Sequence, residues 1–207
     1  MLKIVAGLLP PTAGSVLVDS VPVRGPTRNV GIVFQTPVLL AWRTVLRNVM
    51  LQVEVRGLER EAYHQRALKL LDLVGLAGFE DHFPYQLSGG MQQRASICRA
   101  LIHDPPLLLM DEPFGALDAL TRERMNLELL RIWTESRKTV LFITHSIPEA
   151  VFLSDRVAVM SPRPGTISEV IRVEVPRPRD MKTMESPAFV QLVGRIRALL
   201  QAQGGLD

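Results

Sequence analysis

Hydrophobic and polar positions along the 207-residue chain alternate between two kinds of pattern. SVLVD, VPV and VGIVFQ, between Ser15 and Gln35, are short β-type runs separated by turn residues. From Thr44 to Gly75 the period becomes helical, and Val45, Val49, Leu68, Leu71, Leu73 and Val74 are predicted to face inward. Residues 87–104 read as another helix. PPLLLMDEP encloses an apolar run with no polar alternation, which predicts a strand buried on both faces; TVLFITHS, from Thr139 to Ser146, predicts the same. Residues 119–137 read as a polar, charged helix, and IPEAVFLS as a shorter one. RVAVMS and GTISEVIRVEV predict a closing strand pair. Phe189, Leu192, Val193, Ile196, Leu199 and Leu200 lay an apolar stripe along a helix of about residues 185–203, predicted to pack on its own domain. Strands alternating with helices predict an α/β sheet, with about residues 38–100 as an inserted helical subdomain.

Composition narrows this little. With 47% apolar residues, the 207-residue chain can bury one sizeable core, so residues 1–207 are read as a single domain. A formal charge of +3 is too mild to indicate nucleic acid. The lone cysteine excludes a disulfide framework, and Cys98, at helical spacing with Met91, Ala95 and Ile102, reads as a buried thiol. No apolar run approaches the ~18–20 residues of a membrane span. In the opening MLKIVAGLLPPTAG, Leu2, Ile4, Val5, Leu8 and Leu9 recur at helical spacing until Pro10 and Pro11 stop them. The apolar stretch after Lys3 is shorter than the roughly 7–15 residues of a secretory leader, so the segment reads as part of the fold.

Candidate chemistry collects at element ends. LLLMDEP places Asp111 and Glu112 where a buried strand stops, the usual location of ligand sites in open α/β sheets. One acid there can hold Mg²⁺ while its neighbour polarises an attacking water; two solvated turn acids are the plain alternative. In YQLSGGMQQRASICRALIHDPP, Ser88 can cap a helix while Gly89 and Gly90 let its free N–H groups approach a phosphate. An ordinary Ser-Gly-Gly helix entry is the alternative here.

Together VFQ, LSGGMQQR, LLLMDEPFGALD and LFITHS, in this order and spacing, resemble the ATP-binding-cassette (ABC) transporter ATPase family from Met1 nearly to the C-terminus. The resemblance implies a P-loop NTPase-like α/β core with an inserted helical subdomain. It implies ATP and Mg²⁺ as cofactors and a role for each motif. Gln35 senses metal and attacking water, and Leu87, Ser88, Gly89, Gly90 and Met91 form the signature that contacts the nucleotide of an opposite subunit. Asp111 is the metal residue, Glu112 the catalytic base, Asp118 part of the loop communicating across the dimer, and His145 the histidine that steadies the transition state. His64, His82 and His103 match no motif. Implied partners are a second ATPase subunit, transmembrane permease subunits at the cytoplasmic membrane face and, indirectly, a solute-binding protein, with no nucleic acid.

The tail MSPRPGTISEVIRVEVPRPRD and the stretch VLLAWRTVLRNV resemble the importer branch for nitrate, sulfonates and taurine, although Ala41 stands where that branch commonly has proline. The resemblance puts Leu40–Val49 near the groove for a permease coupling helix; Trp42 reads either as a contact there or as a packed core indole.

The family also implies a G-x-x-x-x-G-K-[ST] phosphate loop, and none of the four lysines here (Lys3, Lys69, Lys138 and Lys182) follows a glycine. MLKIVAGLLPPTAG resembles the continuation of the phosphate-loop helix, so the first strands and the loop are expected to be missing. From this the polypeptide by itself is expected neither to hold ATP tightly nor to hydrolyse it usefully. The readings then left are an importer ATPase, a non-catalytic chain lending its signature to an intact copy, and a non-transport ABC protein.

Overall fold

The computed structural model describes residues 1–204. The chain divides into two compact units, one of Met1–Met125 with Ser136–Ile143, the other of Asn126–Glu135 with Thr144–Asp207.

The first unit is built on a three-stranded parallel sheet of β3 (Val30–Val33), β4 (Leu107–Asp111) and β5 (Thr139–Ile143), in that spatial order. Val30 lies opposite Leu107, and Asp111 opposite Ile143. As the central strand, β4 buries Leu107 through Met110, which is why its sequence carries no polar alternation. The N-terminal helix α1 (Leu2–Val5) covers one face, where Leu2 and Ala6 pack with Val30, Leu107 and Leu109. Gly7 ends that helix at φ +72°, and a Cβ there would stand 1.8 Å from the Gly25 carbonyl oxygen, so only glycine fits. A small hairpin follows, β1 (Leu17–Val18) with β2 (Val21–Pro22).

The helical stretch resolves into α2 (Val45–Val49), α3 (Leu51–Val55), α4 (Arg60–Leu73) and α5 (Gly89–Leu101). Val45, Val49, Leu71 and Val74 are buried as expected. Leu68 and Leu73 are only half-buried, and Ala67 and Leu76 take the enclosed places instead. Cys98 is buried, and burial pushes its thiol up to about 12, which makes it inert. Asp104 accepts from Arg66 of α4 and from Lys138 ahead of β5, both at 2.8 Å, and this pins the insertion to the foot of the sheet.

Two further expectations change. The run TVLFI of β5 is not buried on both faces: Val140 to Ile143 are half-buried, because among the described residues β5 pairs only with β4 and forms the sheet edge. Trp42 is no core indole; it is 74% exposed, and with Arg43, Arg47, Glu54 and Arg60 it lines an open groove. An unpaired edge with apolar flanks is a template for another strand. The 207-residue polypeptide expressed by itself is therefore expected to self-associate, and light scattering across micromolar concentrations checks it. A monodisperse monomer with a sharp thermal transition would refute it.

The second unit runs from the C-terminal half of α6 (Ala119–Ser136) through α7 (Ile147–Leu153), the antiparallel pair β6 (Arg156–Met160) and β7 (Ile167–Arg172), and α8 (Pro187–Ala202). The stripe on α8 packs within this unit: Phe189 and Ile196 are buried with Val151, Phe152, Val159 and Ile171. Ser186 caps the helix by accepting from the Phe189 amide.

Candidate nucleotide site

The C-terminal ends of β3 and β4 bring the chemistry of the first unit together. β4 ends at Asp111, and Glu112 follows at φ +45°, a left-handed conformation that costs a non-glycine residue about 1 kcal/mol. The turn is held on both sides: the Glu112 amide donates to the Ile143 carbonyl at 2.9 Å, and the Gly115 amide donates to the Glu112 carbonyl at 3.1 Å. Gln35, just beyond β3, is exposed and donates from Nε2 to Glu112 Oε2 at 3.3 Å. Parallel pairing thus carries two residues 77 positions apart into hydrogen-bond contact.

Asp111 lines a cavity of about 20 Å³ with Leu2, Lys3, Ala6, Leu8, Ile32 and Phe34, room for roughly one water. Among the described residues, no three His, Cys, Asp or Glu side chains gather as a metal cage. Mg²⁺ in general takes one or two protein oxygens and completes its shell with phosphate and water. The Asp111 carboxylate and the amide oxygen that Gln35 does not commit to Glu112 are oxygen donors of the right hardness.

The signature segment forms as its residue types dictate. Ser88 caps α5, its Oγ accepting from the Met91 amide at 3.3 Å. Leu87 is buried as an anchor, while Ser88 and Gly89 are exposed. A Cβ on Gly90 would come within 3.2 Å of Leu117 Cδ2, so glycine there lets the α5 entry sit against the loop that Asp118 closes. Asp118 Oδ1 accepts from the Thr121 amide, and hydrogen bonds from the Thr121 side chain first and its amide second hold the carboxyl below the ordinary range.

His145 belongs to the second unit and is exposed, just ahead of α7. Its flanks are tightly bonded: Thr144 Oγ1 donates to Glu149 Oε2 at 2.7 Å and accepts from the Ser146 amide at 2.9 Å. His64 and His82 sit half-buried, His82 beside the Phe79 ring at 4.9 Å. Burial first, and Arg56 second, pull the His103 imidazole down to about 4, so it is neutral near pH 7. Sequence reasoning missed Gln93 and Arg179, two buried polar residues whose partners lie far away in the chain.

Comparison with known proteins identifies the family. The family profile described as ABC transporter matches residues 1–115. An uncharacterized ABC transporter ATP-binding protein of Methanocaldococcus jannaschii is 52% identical over 185 residues, covering 89% of this chain and 69% of that protein. The taurine import ATP-binding protein TauB of Yersinia pseudotuberculosis is 52% identical over 169 residues, 82% of this chain and 66% of its own length. TauB of Rhizobium johnstonii is 47% identical over 209 residues, 98% of this chain and 79% of that protein. The chain thus spans about two thirds to four fifths of the length of these relatives. A solved dimeric ATP-binding cassette, MJ0796 in a post-hydrolysis state bound to ADP and Pi, superposes with a TM-score of 0.75 at 33% identity, over 84% of this chain and 79% of that one. The chain accordingly belongs to the ABC transporter family and is similar to ATP-binding proteins of the branch that includes taurine import.

Proposed function

We propose that this chain works as the ATP-binding, ATP-hydrolysing subunit of an importer for a small sulfonate-like solute. The observation that carries the reading is the Gln35–Glu112 hydrogen bond of 3.3 Å at the end of β4, beside Asp111. Glu112 is the general base: its carboxylate takes the proton of the attacking water, and Gln35 fixes the orientation of that carboxylate. Asp111 holds Mg²⁺, which when bound neutralises charge on the phosphates. His145 donates a hydrogen bond to the transferred phosphate, and the Thr144 and Ser146 bonds on either side of it hold its backbone.

Ser88, Gly89 and Gly90 present helix N–H groups to a nucleotide held by a second cassette, and Asp118 lies at that junction. Dimer closure draws the groove at Trp42 toward the permease subunits at the cytoplasmic membrane face, and a solute-binding protein delivers the cargo. The cassette MJ0796, a dimer with ADP and Pi, supports this assembly by analogy.

The 207 residues contain no glycine-rich loop ending in Lys-Ser/Thr, so the test joins a phosphate-loop segment of a family member ahead of Met1. The joined chain is expected to release phosphate from ATP at an ordinary enzymatic rate, on the order of 1–10³ s⁻¹. Nucleotide binding without turnover above buffer would overturn the reading. A second reading has one observation in its favour: Gly89 is exposed, with open space where a side chain would stand. The chain could then serve as a partner that lends its signature to an intact cassette. Turnover by an intact cassette with a disabled signature, restored when this chain is added, supports it.

A further inference from the structure

Gln93 lies on α5, 1% exposed, between Arg94 and the helix entry that Ser88 caps. A buried primary amide is costly unless bonded, and this one is only half satisfied. Its Nε2 donates to the Phe34 carbonyl at 3.0 Å, while its Oε1 is buried without a partner. Methionine would fill the same volume without that burden, so packing alone does not call for glutamine here.

Phe34 is the residue immediately before Gln35. A peptide unit is planar, so anchoring the Phe34 carbonyl also fixes the direction of the Gln35 N–H and the position of its Cα. Gln35 in turn donates to Glu112. One buried bond therefore ties the helix opened by the signature to the residue that orients the candidate base, across 59 positions of sequence.

We propose that Gln93 is a positioning residue, which holds the Phe34–Gln35 peptide so that Gln35 reaches Glu112 and which passes any tilt of α5 to that pair. The catalytic consequence rests on the ATPase reading above; the positional one does not. Gln93→Met removes the donor at nearly constant volume. The backbone N–H order parameters of Gln35 and Thr36 are then expected to fall below about 0.6, while those of β4 and the melting temperature stay within error of the parent. In the loop-bearing chain the same change is expected to lower kcat about tenfold with KM within about twofold. Unchanged order parameters at Gln35 and Thr36, or an equal fall throughout β4, would show Gln93 to be ordinary packing and sink the proposal. So would a rise in KM at constant kcat. A loop-bearing parent without turnover would defeat the ATPase reading instead, and the order parameters would still decide on Gln93.

Discussion

Replacing Glu112 with Gln in the loop-bearing chain is expected to lower ATP turnover about 10²–10³-fold and to leave ATP affinity within about twofold. The two side chains have the same size, and glutamine keeps an oxygen where Oε2 accepts from Gln35 Nε2 at 3.3 Å. What is lost is the capacity to take a proton. A positioned general base contributes roughly 10²–10⁴ in rate, and that contribution disappears while the fold is untouched. The backbone should hold its shape, because the φ of +45° at position 112 is imposed by the bonds to Ile143 and Gly115 rather than by the carboxylate. Asp111 remains to hold Mg²⁺, so binding of a fluorescent ATP analogue persists as phosphate release falls. A variant that keeps more than about a tenth of parental turnover would show that the proton goes elsewhere.

Replacing Arg179 with Met is expected to destabilise the second unit by about 3–5 kcal/mol. Arg179 is 6% exposed, and its guanidinium carries the far end of α7. Nη1 donates to the carbonyls of Val151, Phe152 and Ser154 at 3.1, 2.9 and 2.8 Å, and Nε and Nη2 both donate to Val175. The last carbonyls of a helix have no partners within it, and a cation there also meets the negative end of the helix dipole. Burial, with Arg177 nearby, draws the guanidinium pKa down to about 10, so the group stays charged at neutral pH. Methionine leaves four carbonyls without this donor, those of Val151, Phe152 and Val175 buried and that of Ser154 half-buried. Lysine restores only part of the stability, since one ammonium cannot span what the planar fork spans. Trp133, whose ring lies 3.9 Å under the Arg177 guanidinium in the same unit, supplies the fluorescence for urea unfolding. A loss below about 1 kcal/mol for Arg179→Met would mean that the carbonyls find other partners.

What the linear chain determined by itself was local. Ser88 caps α5 and Ser186 caps α8, because a hydroxyl reaches an amide three residues on whatever the rest of the chain does. LLLM forms the buried centre of the sheet, because an apolar run of strand length has no polar face to give to solvent. The motif order was enough to suggest the family, which the comparisons bear out.

Tertiary structure alone decided the rest. TVLFI has the same apolar text as LLLM, yet β5 is an edge, because burial depends on which strands lie alongside rather than on the strand's own residues. Trp42 faces solvent although its type favours a core. The contacts that build the candidate site, Gln35 to Glu112 and Gln93 to Phe34, join residues 77 and 59 positions apart. No periodicity spans such distances. They exist because parallel pairing aligns the ends of β3 and β4 and α5 packs against β3, a geometry that only the folded chain possesses.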